Sequence, residues 1–289
     1  MPNLKEIKTR IKSVKNIEQI TRAMKMVAAA KVRKVQDRVT AFRPYSEKIQ
    51  EVFSNLSSKV AGEDISEPLL LQRDVKTVGL VVVTSDKGLC GSYNSNLVRF
   101  ANAEIKKFEA QGYKVKLWLI GNKSFAAFKY TGHEIIEKYS QIPQIATTVE
   151  ANMIQENVIS NYLSENVDKV VIIYTKFVSM MTTVPSRLDL VPVITEGQTS
   201  DSMAQYVFEP NAQAMMSAII PKYIESQILR ALLESSASEL ASRMTAMSSA
   251  SKNAKEMIFS LNLVYNKVRQ AAITKEILEV VGGAEALES

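Results

Sequence analysis

The amino-acid sequence predicts a mixed α/β chain. Long helices at its two ends are expected to wind together as an antiparallel coiled coil, with a central α/β domain looped out between them. Three observations point there: two long tracts without glycine, heptad rows within those tracts, and alternating strand-like and helix-like segments in the middle. All ten glycines avoid residues 1–61 and 198–281. A glycine inside a helix costs about 1 kcal/mol against alanine, so tracts that exclude it read as helix.

The first tract carries helical periodicity. Leu4, Ile7, Ile11 and Val14 follow the alternating three-four spacing of a coiled-coil seam. The apolar pattern then slips by three, and Ile17, Ile20, Met24 and Val27 are expected to resume the seam. At about 1.5 Å per residue a helix over this tract spans roughly 80 Å, far more than an ordinary domain needs. Pro44 lies inside it, so a kink or break is expected there.

The middle of the chain changes character. Residues 78–84, 114–120 and 169–177 are β-branched, aliphatic runs of strand length. Helical segments are expected between them near 94–111, 123–130 and 150–164, and residues 179–194 can add strands at one edge. Such alternation predicts a mainly parallel sheet with right-handed crossovers. Polar linkers at 62–68 and 197–202 divide the chain into an N-terminal coiled-coil helix over 1–61, an α/β domain over 62–202 and a C-terminal coiled-coil helix over 203–289.

The last tract is the most regular. Leu233, Leu240, Met247, Ala254, Leu261 and Val268 recur every seven residues. Ala237, Met244, Ser251, Ile258, Tyr265 and Ala272 form the partner row, offset by four. Two rows sustained over six heptads outlast by several-fold the ordinary helix length of about 11 to 12 residues. Pro221, near the start of this tract, is a second expected kink.

Composition narrows the function. One cysteine, Cys90, leaves no internal disulfide or cysteine metal cage, and one histidine, His133, makes a His-rich metal site or a Ser/His/Asp triad hard to assemble. Acidic pairs such as Glu134 with Glu137 read as solvated, so no catalytic, cofactor-binding or metal site is expected. No run of eighteen uncharged apolar residues and no export signal is found, so the chain is expected to stay soluble inside the cell. Its net charge of +6 is uneven: residues 1–50 hold thirteen Lys or Arg against four acids, a local +9. That basic element steers toward an acidic partner: nucleic acid, an anionic membrane or an acidic protein face.

Residues 84–91, Thr-Ser-Asp-Lys-Gly-Leu-Cys-Gly, follow the first strand, where α/β sheets often cradle phosphate. Their spacing fits neither Gly-x-x-x-x-Gly-Lys-Ser/Thr nor Gly-x-Gly-x-x-Gly, so a tight structural turn is the favoured reading and an ATP- or NAD-using enzyme the weaker one. A basic coiled-coil nucleic-acid protein is the other rival. It lacks interleaved aromatics and any sequence-reading module.

Three separated motifs carry a resemblance to a known family. Residues 20–31 (Ile-Thr-Arg-Ala-Met-Lys-Met-Val-Ala-Ala-Ala-Lys), residues 85–91 (Ser-Asp-Lys-Gly-Leu-Cys-Gly) and residues 265–276 (Tyr-Asn-Lys-Val-Arg-Gln-Ala-Ala-Ile-Thr-Lys-Glu) resemble the signatures of F-type ATP synthase gamma subunits of bacterial type, in the same order and with matching spacing. The resemblance implies an antiparallel coiled coil plus a central Rossmann-like α/β domain, acting as a non-catalytic central rotor stalk. It would couple proton flow through a membrane ring to ATP synthesis or hydrolysis elsewhere and regulate ATPase activity. The implied partners are alternating alpha and beta subunits, the epsilon subunit and the c-subunit ring, with no nucleic acid and no cofactor. The implied place is the cytoplasmic face of the bacterial plasma membrane, peripheral and held only through the complex. By the same resemblance Met24 faces a mobile acidic loop of a beta subunit, and Lys25 is a further partner contact. Arg269 and Gln270 hydrogen-bond to a beta-subunit catch loop, with Thr274 a further partner contact; residues 205–210, with the contacts Tyr206 and Phe208, belong to the foot, and residues 277–287 sit in an apolar bearing. The cysteine-bearing insert of chloroplast gamma subunits is missing, so thiol regulation of that kind is not expected.

Overall fold

A computed structural model describes residues 3–60, 67–193 and 212–288. Helix α1 spans Leu4–Val60. Next come β1 (Thr77–Val83), α2 (Tyr93–Ala110), β2 (Lys114–Ile120), α3 (Asn122–Phe128), β3 (Glu134–Tyr139), α4 (Thr148–Leu163), β4 (Lys169–Phe177) and β5 (Thr183–Val191). Helix α5 closes the chain over Ala212–Glu288. Two compact units result: one formed by residues 1–28 and 244–289, the other by residues 29–243.

Within the larger unit the five strands stand in the order β3-β2-β1-β4-β5. β1, β2, β3 and β4 are parallel, and β5 returns antiparallel along β4. Successive side chains on a strand point to opposite faces, and both faces here are buried. Val78, Leu80 and Val82 pack with Leu97, Ala101, Ile105 and Phe108 of α2. Val81 and Val83 face the other way, with Trp118 of β2, Ile154 and Tyr162 of α4, and Ile224 and Ile228 of α5. Continuous apolar runs are what a parallel sheet covered on both sides requires. α4 is started by a capping box, the Thr147 hydroxyl accepting from the Val149 N–H while Glu150 accepts from the Thr147 N–H.

The helices expected near 94–111, 123–130 and 150–164 and the three expected strands are present within about two residues, and the edge strand within 179–194 is β5. β3 was not expected. Its sequence Glu-Ile-Ile-Glu-Lys-Tyr lacks clean alternation because it is an edge strand with exposed charges on its open flank. Glu134 and Glu137 belong to it, Glu134 pairing with Lys116.

Within each unit the stretches of α1 and α5 run antiparallel. Glu18 meets Ser251, Val32 and Val35 pack with Ala237, Leu240 and Ala241, Ser46 faces Ser226, and the Phe53 ring stacks on Tyr223 at 4.7 Å. As the number on α1 rises, its partner on α5 falls. Every position of the two heptad rows on α5 is buried or half-buried, from Leu233 to Ala272.

Two expectations fail. The seam of α1 does not slip: its buried and half-buried residues continue through Ile7, Ile11, Val14, Glu18 and Thr21 to Ala28, Val32, Val35, Val39, Phe42 and Ser46. Ile17, Ile20 and Val27 are 51%, 59% and 56% exposed, while Met24 is half-buried. Polar residues occupy the seam where the apolar pattern breaks. The Thr21 hydroxyl is satisfied by the Ile17 and Glu18 carbonyls, and Glu18 by Ser251. Nor do the prolines break the helices, since α1 is continuous through Pro44 and α5 through Pro221. Each proline forfeits one backbone hydrogen bond. Close packing on both sides holds the helices in register: Phe42 and Ser46 flank Pro44, and Ile220 and Ile224 flank Pro221.

Candidate functional site

The smaller unit carries most of the residues singled out from the sequence. Helical residues at spacings of three and four share a face. Ile17, Ile20 and Val27 form such a stripe on α1, offset from the seam and bare to solvent, with Met24 between them half-buried. Lys8, Arg10, Lys12, Lys15, Arg22 and Lys25 surround it, all exposed and without an acidic partner within salt-bridge distance among the described residues. Glu18 contributes the one acid facing α5 there, shared by the Ser251 hydroxyl at 3.4 Å and the Lys255 ammonium at 3.9 Å.

On α5, Arg269, Gln270 and Thr274 are all exposed, and the Thr274 hydroxyl donates to the Gln270 carbonyl at 2.9 Å. Beyond them Ile273, Ile277, Leu278, Val280 and Val281 face solvent. Counting along the helices from the Glu18–Ser251 contact at about 1.5 Å per residue, Met24 and Lys25 lie roughly 35 Å from Arg269 and Gln270. The candidate contact residues therefore form two stations rather than one cluster. Tyr206 and Phe208 lie outside the described residues.

In the larger unit the loop after β1 is a braced turn. Leu89 and Gly91 take left-handed backbone angles, φ 63° and 60°. The Ser85 N–H donates to the Asn94 amide oxygen, and the Ser85 hydroxyl donates to the Lys87 carbonyl. The carboxylate of Asp86 accepts the backbone N–H groups of Asn122 and Gln141, each at 3.0 Å. The Lys123 N–H goes to the Ser85 carbonyl and the Ser124 N–H to the Thr84 hydroxyl. The first N–H groups of α3 are thus already occupied within the fold. Gly121 (φ 89°) is required here, because a Cβ would collide with the Thr84 carbonyl. Cys90 is buried, with the Asn94 amide nitrogen 3.1 Å from its Sγ.

From α5, Arg243 reaches Glu239 at 2.6 Å and the Gly88 carbonyl at 3.3 Å. Burial raises the proton affinity of Glu239 above the ordinary carboxylate value, Arg243 pulls it back, and Asp86 adds to the rise. Among the described residues no group of three or more His, Cys, Asp or Glu is placed to hold a metal ion, and no helix is long and apolar enough to cross a membrane.

The model of the family described as ATP synthase matches residues 3–287. The chain is 44% identical to the ATP synthase gamma chain of Gloeothece citriformis, over 99% of this chain and 100% of that one. The chain belongs to the ATP synthase gamma-chain family. The gamma chain of Crocosphaera subtropica is 45% identical over the same shares. Both alignments span 314 positions against 289 residues here, so those relatives carry residues for which this gamma chain has no counterpart. Among solved structures, the central stalk and c-ring of the Tetrahymena thermophila mitochondrial ATP synthase contains a chain 28% identical to this one. It superposes with a TM-score of 0.61 and covers 80% of this chain and 99% of that one. A chain of the Euglena gracilis mitochondrial ATP synthase shares the fold at 17% identity, TM-score 0.64, over 98% and 94%.

Proposed function

We propose that this gamma chain is the central rotor shaft of a proton-translocating ATP synthase, carrying torque between a membrane ring of c subunits and an alternating alpha/beta hexamer where the nucleotide chemistry occurs. One observation carries the reading. The paired helices of residues 4–28 and 244–283 leave thirteen large apolar side chains exposed, among them Ile20, Phe259, Leu263, Leu278 and Val280. A surface of that kind, interspersed with unpaired cations, calls for a covering partner that is apolar and acidic.

The mechanism follows from asymmetry. Two helices locked by a heptad seam resist twist better than one. The pair has no three-fold symmetry, with one side carrying Ile17, Ile20 and Val27 at one level and Arg269 and Gln270 at another, so three like subunits around it meet different surfaces at each level. Each is biased to a different conformation by differential contact energy, and turning the shaft reassigns the bias. Met24 and Lys25 act at one level, against an acidic loop of a beta subunit. Arg269, Gln270 and Thr274 act at a second level, against a catch loop, and the apolar end of α5 turns in a greasy bearing. Tyr206 and Phe208 belong to the foot, with the epsilon subunit. The division at 1–61, 62–202 and 203–289 describes shaft, foot and shaft. The complex holds the chain peripherally at the cytoplasmic face of the membrane. The test is extraction of the membrane complex with mild detergent and purification through a tag on this chain. Alpha, beta and epsilon subunits in fixed proportion support the reading, and recovery of this chain alone contradicts it.

A further inference from the structure

A cavity of about 560 Å³ opens at the carboxyl ends of β1 and β2, on the edge of the sheet from which α/β loops line ligand sites. Its wall is drawn from α1, the β1–α2 loop, the β2–α3 turn, the β3–α4 loop and α5. Three basic side chains line it, Lys31, Lys87 and Arg243. Each retains donors. An ammonium has three N–H groups and a guanidinium five, yet Lys31 donates once, to the Gln144 side chain at 2.7 Å. Lys87 has no side-chain partner among the described residues, and the Arg243 bonds to Glu239 and Gly88 both leave from Nη2. The two acids offer little to a cation. Asp86 already accepts two backbone N–H groups, and Glu239 is paired with Arg243. What faces the cavity is therefore surplus positive charge and surplus donors, to which an acceptor-only anion is complementary.

We propose that this cavity is a binding site for a small phosphate-class oxyanion, held by Lys31, Lys87 and Arg243. Because the backbone N–H groups of the adjacent turn already bond Asp86, Ser85 and Thr84, the anion is held by side chains and not by a backbone cradle. Bound there, the anion ties α1, α5 and the β1–α2 loop together and stabilises the larger unit by mass action.

The experiment is calorimetric titration of the full chain with inorganic phosphate at low salt. The variants are Lys31→Gln with Lys87→Gln, Lys31→Arg with Lys87→Arg, and Lys129→Gln outside the cavity. Saturable binding is expected in the wild type, the Arg pair and Lys129→Gln, with affinity lower by about tenfold or more in the Gln pair. Should the Gln pair fail to fold, the exposed single change Lys87→Gln is read instead by the loss of phosphate-induced thermal stabilisation. No binding to the wild type, or equal affinity in the Gln and Lys129→Gln variants, overturns the site. So does ATP binding here when phosphate does not.

Discussion

The carboxylate of Glu18 and the hydroxyl of Ser251 meet at 3.4 Å across the two long helices, in the seam where the apolar pattern of α1 gives way. A polar pair in a coiled-coil seam sets register more than it adds stability. Here it keeps the heptad phase of α1 while Ile17, Ile20 and Val27 turn outward.

Stability should follow that phase. Ile11 is 9% exposed and Ile17 51% exposed. Ile11→Ala should cost about 2 kcal/mol or more, as buried large-to-small changes do. Ile17→Ala should stay within about 0.5 kcal/mol. Urea unfolding followed by circular dichroism separates the two, and equal losses would restore a seam through Ile17.

Gly79 on β1 lies directly under the Trp118 ring, and a Cβ there would overlap Cζ3. Trp118 is the chain's one tryptophan, fully buried, its indole N–H donating to Asn157 at 2.7 Å. Gly79→Ala should therefore destabilise by roughly 1 to 3 kcal/mol through overpacking. Its emission should shift, read by intrinsic fluorescence during denaturant unfolding.

Acid should weaken the edge of the sheet. Burial alone would raise the pKa of Glu104, but hydrogen bonds from Lys107 and Arg187 hold it below the ordinary 4.5. Asp189 is likewise held below 3.8, against its burial, by Arg187 and Lys169. A depressed folded pKa contributes stability above the unfolded value, lost as pH falls through the folded one. Unfolding midpoints should drop as pH falls below about 4.5, and Glu104→Gln should flatten that drop. A variant with the same acid slope as wild type would remove Glu104 from this role.

Much of this architecture was legible in the residues. The α5 seam stood out because small and apolar side chains keep one phase for six heptads, and burial follows it residue by residue. The α1 seam was misread between Ile17 and Val27, because the outward stripe there is as apolar as a seam and the seam itself holds Glu18 and Thr21. Burial in one chain and exposure awaiting a partner look alike in sequence. β3 was missed because its two isoleucines, one for each core, stand among charges that an edge strand leaves exposed, and the helices do not break at Pro44 and Pro221 because tertiary packing outweighs one lost hydrogen bond each. Only one wall of the cavity beside Arg243 was legible, the loop at 84–91; the rest comes from residues as far apart as Lys31 and Arg243, which no local pattern joins.

The most direct test of the shaft is Arg269→Ala with Gln270→Ala in the membrane-bound complex, measuring ATP hydrolysis beside ATP-driven proton pumping. Both side chains are exposed, so the fold should hold to within about 0.5 kcal/mol. The shaft account predicts that hydrolysis and pumping both fall while helical circular dichroism is retained. Unchanged hydrolysis and unchanged pumping would contradict it.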